Sequence, residues 1–503
     1  MEKIAIIDIK STKIDMLIAE YNENGNYSVI DDYTEQVKII EDYSGEALLR
    51  LTRSQEALNI VKMYKIICEV NKINNIVIYG SHSLKNLKNY RSFVDEIYNT
   101  VGLKVKLLND EEELSALYCG IINSVDVPKG VAVYIGGAST KLVEYNRRTV
   151  LNQSILHCGT YQMAEIFDTE KDIKTACDKI VERYKEELNK VEWLKDVSEE
   201  FSLVGTGNAF LNVGSLSRKI RKYPVNLAHG YNFSKENMDS VYNLLVTLEI
   251  DKTKKIKGVS SDRADIFASG TCMIKALMEA GNFPTCTVST KGAKEGRLFS
   301  IVNPLTNEKP IVDLIGYSLE NCSILNHKEI DNRKQVGDLA LLLFRQLKVL
   351  HKLPRAYVRV LRIASILHDA GRRIQFYGNE KNSFEIIFNS EIFGASHREI
   401  VLASFVAGCQ NPNDFNLTEW IKYKDLFLEE DLDAMRKLAL IVRLAVALDK
   451  TKRSVVQDIS CDILGDSVIM KTIVTMDASI EVKEALKIAN DFKKVYKKTL
   501  EVL

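Results

Sequence analysis

Apolar positions in the first third of the chain come in short runs broken by polar turns, and two stretches are built alike. In residues 4–20, IAIIDIKSTKIDMLIAE, an apolar strand ends at Asp8, a turn carries Ser11, Thr12 and Lys13, and an apolar strand returns. In residues 131–146, VAVYIGGASTKLVEYN, an apolar strand enters a Gly-Gly-Ala-Ser-Thr turn and a second short strand follows. Such a turn can aim backbone N–H groups and two hydroxyls at an oxyanion, because glycine lets the backbone approach closely. Two copies of one design predict a duplicated α/β lobe with a phosphate site in the cleft between the copies.

The remaining pattern extends this picture. Strand-like runs at 3–9, 14–20, 27–40, 75–79 and 103–108 alternate with helical patterns at 54–72, 89–101 and 111–123, which predicts a first α/β lobe over 1–125. After the Pro128-Lys129-Gly130 break, a second lobe over 126–302 is expected to hold strands at 131–135, 141–145 and 149–157 and a charged helix at 169–190. Strand-to-glycine turns follow at 201–208, FSLVGTGN, and 284–297, PTCTVSTKGAKEGR. Residues 303–313, with two prolines, read as a linker opening a third region, 303–453, that is helical almost throughout from 316 to 450. The last segment, 454–503, alternates like strands at 456–476 and then predicts a basic helix at 481–499.

Composition narrows the function classes. A chain of 503 residues suits about three domains of ~100–200 residues each. Lys+Arg and Asp+Glu are equal at 68 each, so no global field draws the protein to DNA or a membrane, and a polyanion site must come from local clusters. Nine cysteines without a CxxC fit reduced thiols. No apolar run reaches the ~18–20 residues of a membrane span, and the N-terminus enters a strand directly. The expectation is a cytoplasmic protein.

Together these pieces resemble the Ppx/GppA family, the exopolyphosphatases and guanosine pentaphosphate phosphohydrolases. The family opening IDLGSNS is matched by Ile7 to Lys13, ATSALREAxN by Gly80 to Asn89, SGxEEARLIY by Asn109 to Tyr118, and DIGGGSTELV by Tyr134 to Val143. VGTGGT, HGY, DRADI and GLREG have counterparts at Val204 to Ala209, His229 to Tyr231, Asp262 to Ile266, and Gly292 to Gly296. In the helical region LLHDIG is matched by Ile366 to Gly371 and RLAVALDRSR by Arg443 to Arg453.

The resemblance implies a two-lobed actin/hexokinase-like (ribonuclease H-like) ATPase fold followed by an HD-like all-α domain. It implies hydrolysis of a terminal phosphoanhydride in polyphosphate or a guanosine pentaphosphate-like nucleotide, and family members are often homodimers. Glu113 aligns with the family's base for water. Ser11, Thr12, Lys13, Lys85, Gly136, Gly137, Ser139, Thr140, Lys141, Gly205 and Gly207 align with or flank phosphate-binding turns, and Asp8 is the candidate metal ligand. The physics suits such a site, since phosphoryl transfer needs an in-line water and neutralised charge more than covalent work.

Departures from the pattern bear on the metal. Tyr134 and Lys141 stand where the family has carboxylates, and magnesium wants hard oxygen ligands. Ala138 replaces a glycine, Lys85 and Lys294 replace arginines, Ser115 follows the glutamates where the family has arginine, and Gln162 stands at a further arginine position. Two readings follow: Lys141 and Lys13 stand in for the cation while Glu113 polarises water, or the cleft only binds polyphosphate or an alarmone as a sensor. A sugar or acetate kinase of the same superfold fits the motif order less well. In the helical region His368 and Asp369 remain, but Asn332, Asn379, Glu380, Asn382 and Gln410 occupy other ligand positions, which predicts a scaffold in place of a second metal enzyme. The basic runs Arg218 to Lys222, Lys252 to Lys257, Arg372-Arg373 and Lys450 to Arg453 read as solvated helix ends, with a polyanion channel as the alternative.

Overall fold

The computed structural model describes residues 1–40, 48–170, 172–247, 264–303, 309–324, 330–409 and 416–503. Lys252 to Lys257, Gln410 and parts of the DRADI motif and of the expected linker lie outside the described residues. The chain divides into two compact units, Met1–Leu314 and Ile315–Leu503.

In the first unit the duplication is visible strand by strand. One sheet consists of β1 (Glu2–Ile9), β2 (Lys13–Tyr21), β3 (Tyr27–Gln36), β4 (Asn75–Gly80) and β5 (Val105–Leu107), in the order β3-β2-β1-β4-β5. The other consists of β6 (Lys129–Ile135), β7 (Thr140–Asn146), β8 (Thr149–Leu156), β9 (Ser202–Thr206), β10 (Asn232–Ser234) and β11 (Thr285–Ser289). Its order, read from the hairpin side, is β8-β7-β6-β9-β11-β10. In each sheet an antiparallel meander leads into two parallel strands, β4 and β5 beside β1, β9 and β11 beside β6. Only β10, paired antiparallel to β11, has no counterpart.

The central strands are unbroken apolar runs because both of their faces are covered. Ile4, Ala5, Ile6, Ile7 and Ile9 of β1 are fully buried, as are Val131, Ala132 and Val133 of β6. The helices Leu51–Val70 and Tyr90–Val101 contribute Val61, Tyr64 and Phe93 to the core of the first sheet. Ile173–Leu188, Asn208–Ile220 and Ala264–Ala280 belong to the core of the second.

Two helices position the cleft. Asp110–Ile122 starts with a capping box in which Asn109 accepts from the Glu112 amide and Glu112 accepts from the Asn109 amide. Its acidic first turn, Asp110 to Glu113, complements the helix dipole. Ala293–Val302 starts similarly, with Glu295 accepting from the Gly292 amide at 2.8 Å. The two helices cross with backbones touching, since a Cβ on Gly296 would lie 1.8 Å from the Ala116 carbonyl oxygen and one on Gly120 would lie 2.0 Å from that of Gly292. Only glycine permits this approach, which brings Glu113 and Arg297 to the same cleft.

The second unit is helical from Ile330–Gln346 to Asp431–Leu448, the latter almost wholly buried over residues 438–448. It ends in a sheet of β12 (Val456–Leu464), β13 (Ser467–Val474) and β14 (Thr499–Val502). The basic helix expected at 481–499 is two shorter helices, Ser479–Leu486 and Ala489–Tyr496, followed by β14. Lys497 stops the second helix in a left-handed conformation (φ 59°), and Leu500 and Val502 alternate inward to pair with β13. No helix among the described residues is long and apolar enough to cross a membrane.

Candidate active site

The β1–β2 and β6–β7 hairpins meet at a cavity of about 260 Å³. Ser11, Thr12 and Lys13 line it from the first turn, Gly137, Ala138, Ser139 and Lys141 from the second. Gly207 and Asn208 reach it from the turn after β9, and Lys294 and Arg297 from the helix Ala293–Val302. Glu113 faces it from the first turn of its helix and is 3% exposed.

Glu113 is held at both oxygens. Its Oε1 accepts from the His82 amide at 2.9 Å, and its Oε2 lies 2.6 Å from the Lys141 ammonium. Burial by itself would raise the Glu113 carboxyl, but Lys141 and the His82 amide hold it below the ordinary carboxylate value. Lys141 also sits 5.6 Å from the centroid of the Tyr134 ring, its cross-strand partner on β6. That ring is clamped between turns: a Cβ on Gly136 or on Gly207 would lie 2.9 or 2.8 Å from it. Gly207, at φ +91°, adopts a backbone conformation that side chains disfavour, so the turn needs glycine twice over.

The opposite wall is a second charge cluster. Asp8 on β1 faces Asp15 on β2, and the Lys10 ammonium bridges them, 3.2 Å from Asp8 and 2.7 Å from Asp15. Arg297 donates to the same Asp8 oxygen at 2.5 Å, Lys13 lies 2.9 Å from Asp15, and the Thr34 hydroxyl donates to Asp15 at 2.7 Å. Burial opposes charge on Asp8, Lys10, Lys13 and Asp15. The cations nevertheless keep Asp8 and Asp15 below their ordinary values, and the two aspartates push Lys10 well above its own.

Several expected residues are elsewhere or otherwise engaged. Lys85 is exposed on the short 3-10 helix His82–Asn86 and does not line the cavity. Thr140 is fully buried, donating to the Cys158 carbonyl and accepting from the Tyr184 hydroxyl, both at 2.9 Å. Gly205 lies under the Phe210 ring, which a Cβ would strike at 2.0 Å. Gly136 lines the cavity, but its amide is spent on the Ser139 carbonyl at 2.9 Å. Asp8, expected as a metal ligand, is instead the counter-ion of Arg297 and Lys10. Gln162 caps a helix by accepting from the Gly159 amide at 2.7 Å.

The sequence reading missed Lys10, Asp15, Asp32 and Arg297. Asp15 had a signal, a carboxylate set between Ile14 and Met16 in the apolar run of β2. Arg297 had a fainter one, immediately after the Gly292 to Gly296 motif.

The donor set does not fit a magnesium ion. Each of the five carboxylates lining the cavity is already held: Asp8 by Arg297 and Lys10, Asp15 by Lys10 and Lys13, Asp32 by Lys294, Glu113 by Lys141, and Glu295 by the Gly292 amide. One oxygen, Asp8 Oδ1, is buried without a partner. It sits in a field already made positive by Lys10 and Arg297. Among the described residues, no three His, Cys, Asp or Glu side chains converge on one point.

The sequence pattern of the Ppx/GppA phosphatase family fits residues 17–304, more than half the chain. The chain belongs to the Ppx/GppA phosphatase family. Domain III of Ppx/GppA phosphatases matches residues 320–488, within the second unit. A guanosine-5'-triphosphate,3'-diphosphate pyrophosphatase of Aeromonas salmonicida is 22% identical over 398 residues, spanning 78% of this chain and 77% of the relative. The crystal structure of the Aquifex aeolicus Ppx/GppA family member covers 60% of this chain and 98% of its own, with a TM-score of 0.53 and 21% identity. An exopolyphosphatase from Cytophaga hutchinsonii gives a TM-score of 0.55 at 18% identity, over 60% of this chain and 98% of its own. The first unit thus has the two-lobed actin-like ATPase fold of the Ppx/GppA phosphatases.

Proposed function

We propose that the cavity takes the terminal phosphates of polyphosphate or of a guanosine pentaphosphate-like nucleotide and hydrolyses the outermost phosphoanhydride. The observation that carries this reading is the convergence in one cavity of two hydroxyl-bearing turns, Lys13, Lys141, Lys294 and the buried carboxylate of Glu113. In the reaction a water oxygen bonds to the terminal phosphorus as the bridging P–O bond breaks. The water proton passes to Glu113, and the shortened chain leaves with the bridging oxygen. Ser11, Thr12 and Ser139 orient the phosphoryl oxygens, and the ammoniums offset the charge gathering on them.

A second reading, binding without turnover as a sensor, is favoured by the 2.6 Å contact between Lys141 and Glu113, because a carboxylate held by a cation is a weaker base. Phosphate release from long-chain polyphosphate separates the two. Hydrolysis predicts release that falls by about 10²–10⁴-fold in Glu113→Gln, the range of a positioned general base. No release, together with calorimetric binding of the same polymer, would establish the sensor.

The helical unit we read as an HD-like scaffold. Asp369 is taken by Arg333 at 2.9 Å, and His368 Nδ1 donates to the Ser365 carbonyl at 2.7 Å. Burial holds His368 below its ordinary value, so it is neutral near pH 7. The basic positions have local partners too, with Arg218 over the Tyr231 ring and Arg372 over that of Phe376. A cytoplasmic homodimer is the setting we infer from the family resemblance, and the nine free thiols fit a reducing compartment.

A further inference from the structure

We infer that the cleft binds its phosphate ligand free of divalent metal, with the ammoniums of Lys10 and Lys141 built into the positions a bridging cation would take. The inference rests on the oligophosphate reading above and specifies which ionic form of that ligand the site accepts.

Three observations carry it. Asp8 and Asp15 are direct cross-strand partners, an arrangement in which two carboxylates at one spot repel unless a cation lies between them. Lys10, from the turn that joins their strands, places its ammonium there, within 3.2 Å of one and 2.7 Å of the other. On the facing hairpin Lys141 does the same for Glu113, steadied by the Tyr134 ring beneath it. The cavity lining as a whole is balanced: Lys10, Lys13, Lys141, Lys294 and Arg297 against Asp8, Asp15, Asp32, Glu113 and Glu295. A hard divalent ion requires open carboxylate oxygens in near-octahedral array. To enter here it would have to displace an ammonium tethered to the backbone of the hairpin, and the displaced charge would remain in the cavity beside it. A phosphate arriving with magnesium already chelated brings a further cation to carboxylates that the ammoniums and Arg297 already hold. A bare phosphate terminus does not, since its oxygens can share the ammoniums with the carboxylates.

The experiment is calorimetric titration of tripolyphosphate into the full-length protein, once in EDTA and once in excess magnesium. Electron paramagnetic resonance of manganese(II) added to the ligand-free protein accompanies it. The inference expects binding in EDTA, equal or weaker binding in magnesium, and no immobilised manganese. In Lys10→Gly, where Lys13 and Arg297 still partner the two aspartates, affinity in EDTA should drop about tenfold, the loss of one charged hydrogen bond, and magnesium should restore it. Binding by the wild type only when magnesium is present, or stoichiometric manganese in the wild type, would overturn the inference while leaving the oligophosphate reading intact. An unchanged affinity of Lys10→Gly in EDTA would also overturn it. Absence of tripolyphosphate and long-chain polyphosphate binding under both conditions would remove the oligophosphate reading itself. The wild-type arms stand even if the variant does not fold.

Discussion

The β1–β2 and β6–β7 hairpins are the same device filled with different chemistry. Both run antiparallel into a short turn at the cavity, and the penultimate pair before the turn is Asp8 with Asp15 in one and Tyr134 with Lys141 in the other. In the first hairpin that pair is doubly anionic and the turn must supply the cation, Lys10. In the second the pair supplies a cation, and a helix from elsewhere in the fold brings the anion, Glu113. The backbone duplication therefore fixes where charges can be placed, and the residues at one register position decide their sign. Over the cavity as a whole five cations face five carboxylates, which is why the cleft can hold several buried charges without collapsing the fold.

The comparison breaks most severely at the first hairpin. Arg297→Met leaves Asp8, which is fully buried, with Lys10 as its remaining cation, and stability should fall by about 3–5 kcal/mol, the usual cost of breaking a buried pair from one side. Urea denaturation would show it as a lower midpoint at an unchanged slope.

The second hairpin should break less, because Lys141 is partly exposed to the cavity. Lys141→Met should cost about 1.5–3 kcal/mol near pH 7, the value of a hydrogen bond to a charged group. It should also move a pH limb. In the wild type Glu113 is depressed, so its contribution is present above its ordinary carboxylate value and is lost as pH falls through the lower, folded-state value. Without Lys141, burial acts against fewer opposing contacts, and the acid loss of stability should begin at a higher pH. Thermal unfolding from pH 3 to pH 7 would detect the shift, and superimposable profiles would show that Lys141 does not set the charge of Glu113.

The smallest effect belongs to the pair that ties β3 to the helix Ala293–Val302, Lys294 with Asp32 at 2.5 Å. Asp32 is 49% exposed at its side chain, so Asp32→Asn should cost only about 0.2–1 kcal/mol and the difference should fade in high salt. A loss as large as that of Lys141→Met would mean that this contact carries as much of the fold's stability as the buried pair does.

Much of this could be read from the chain alone. Apolar runs interrupted by Ser-Thr-Lys and Gly-Gly-Ser-Thr turns determined the two hairpins, because a strand covered on both faces must be apolar and a tight turn between such strands must be small and polar. The motif order determined the family, and the capped acidic turn at Asn109 to Glu113 determined a helix start facing the cleft. Pairings across long sequence distances were not legible. No local pattern says that Arg297 will meet Asp8, that Lys141 will meet Glu113, or that Thr140 will turn inward to Tyr184 while its neighbour Ser139 faces the cavity. Those outcomes depend on strand register, where one residue's step reverses the face, and on a helix crossing that only Gly120 and Gly296 allow to be so close. The sequence by itself settled which residue types could build the cleft. Which charges cancel which was decided by the tertiary fold, because ion pairing falls off within a few ångströms and only the folded chain sets those distances.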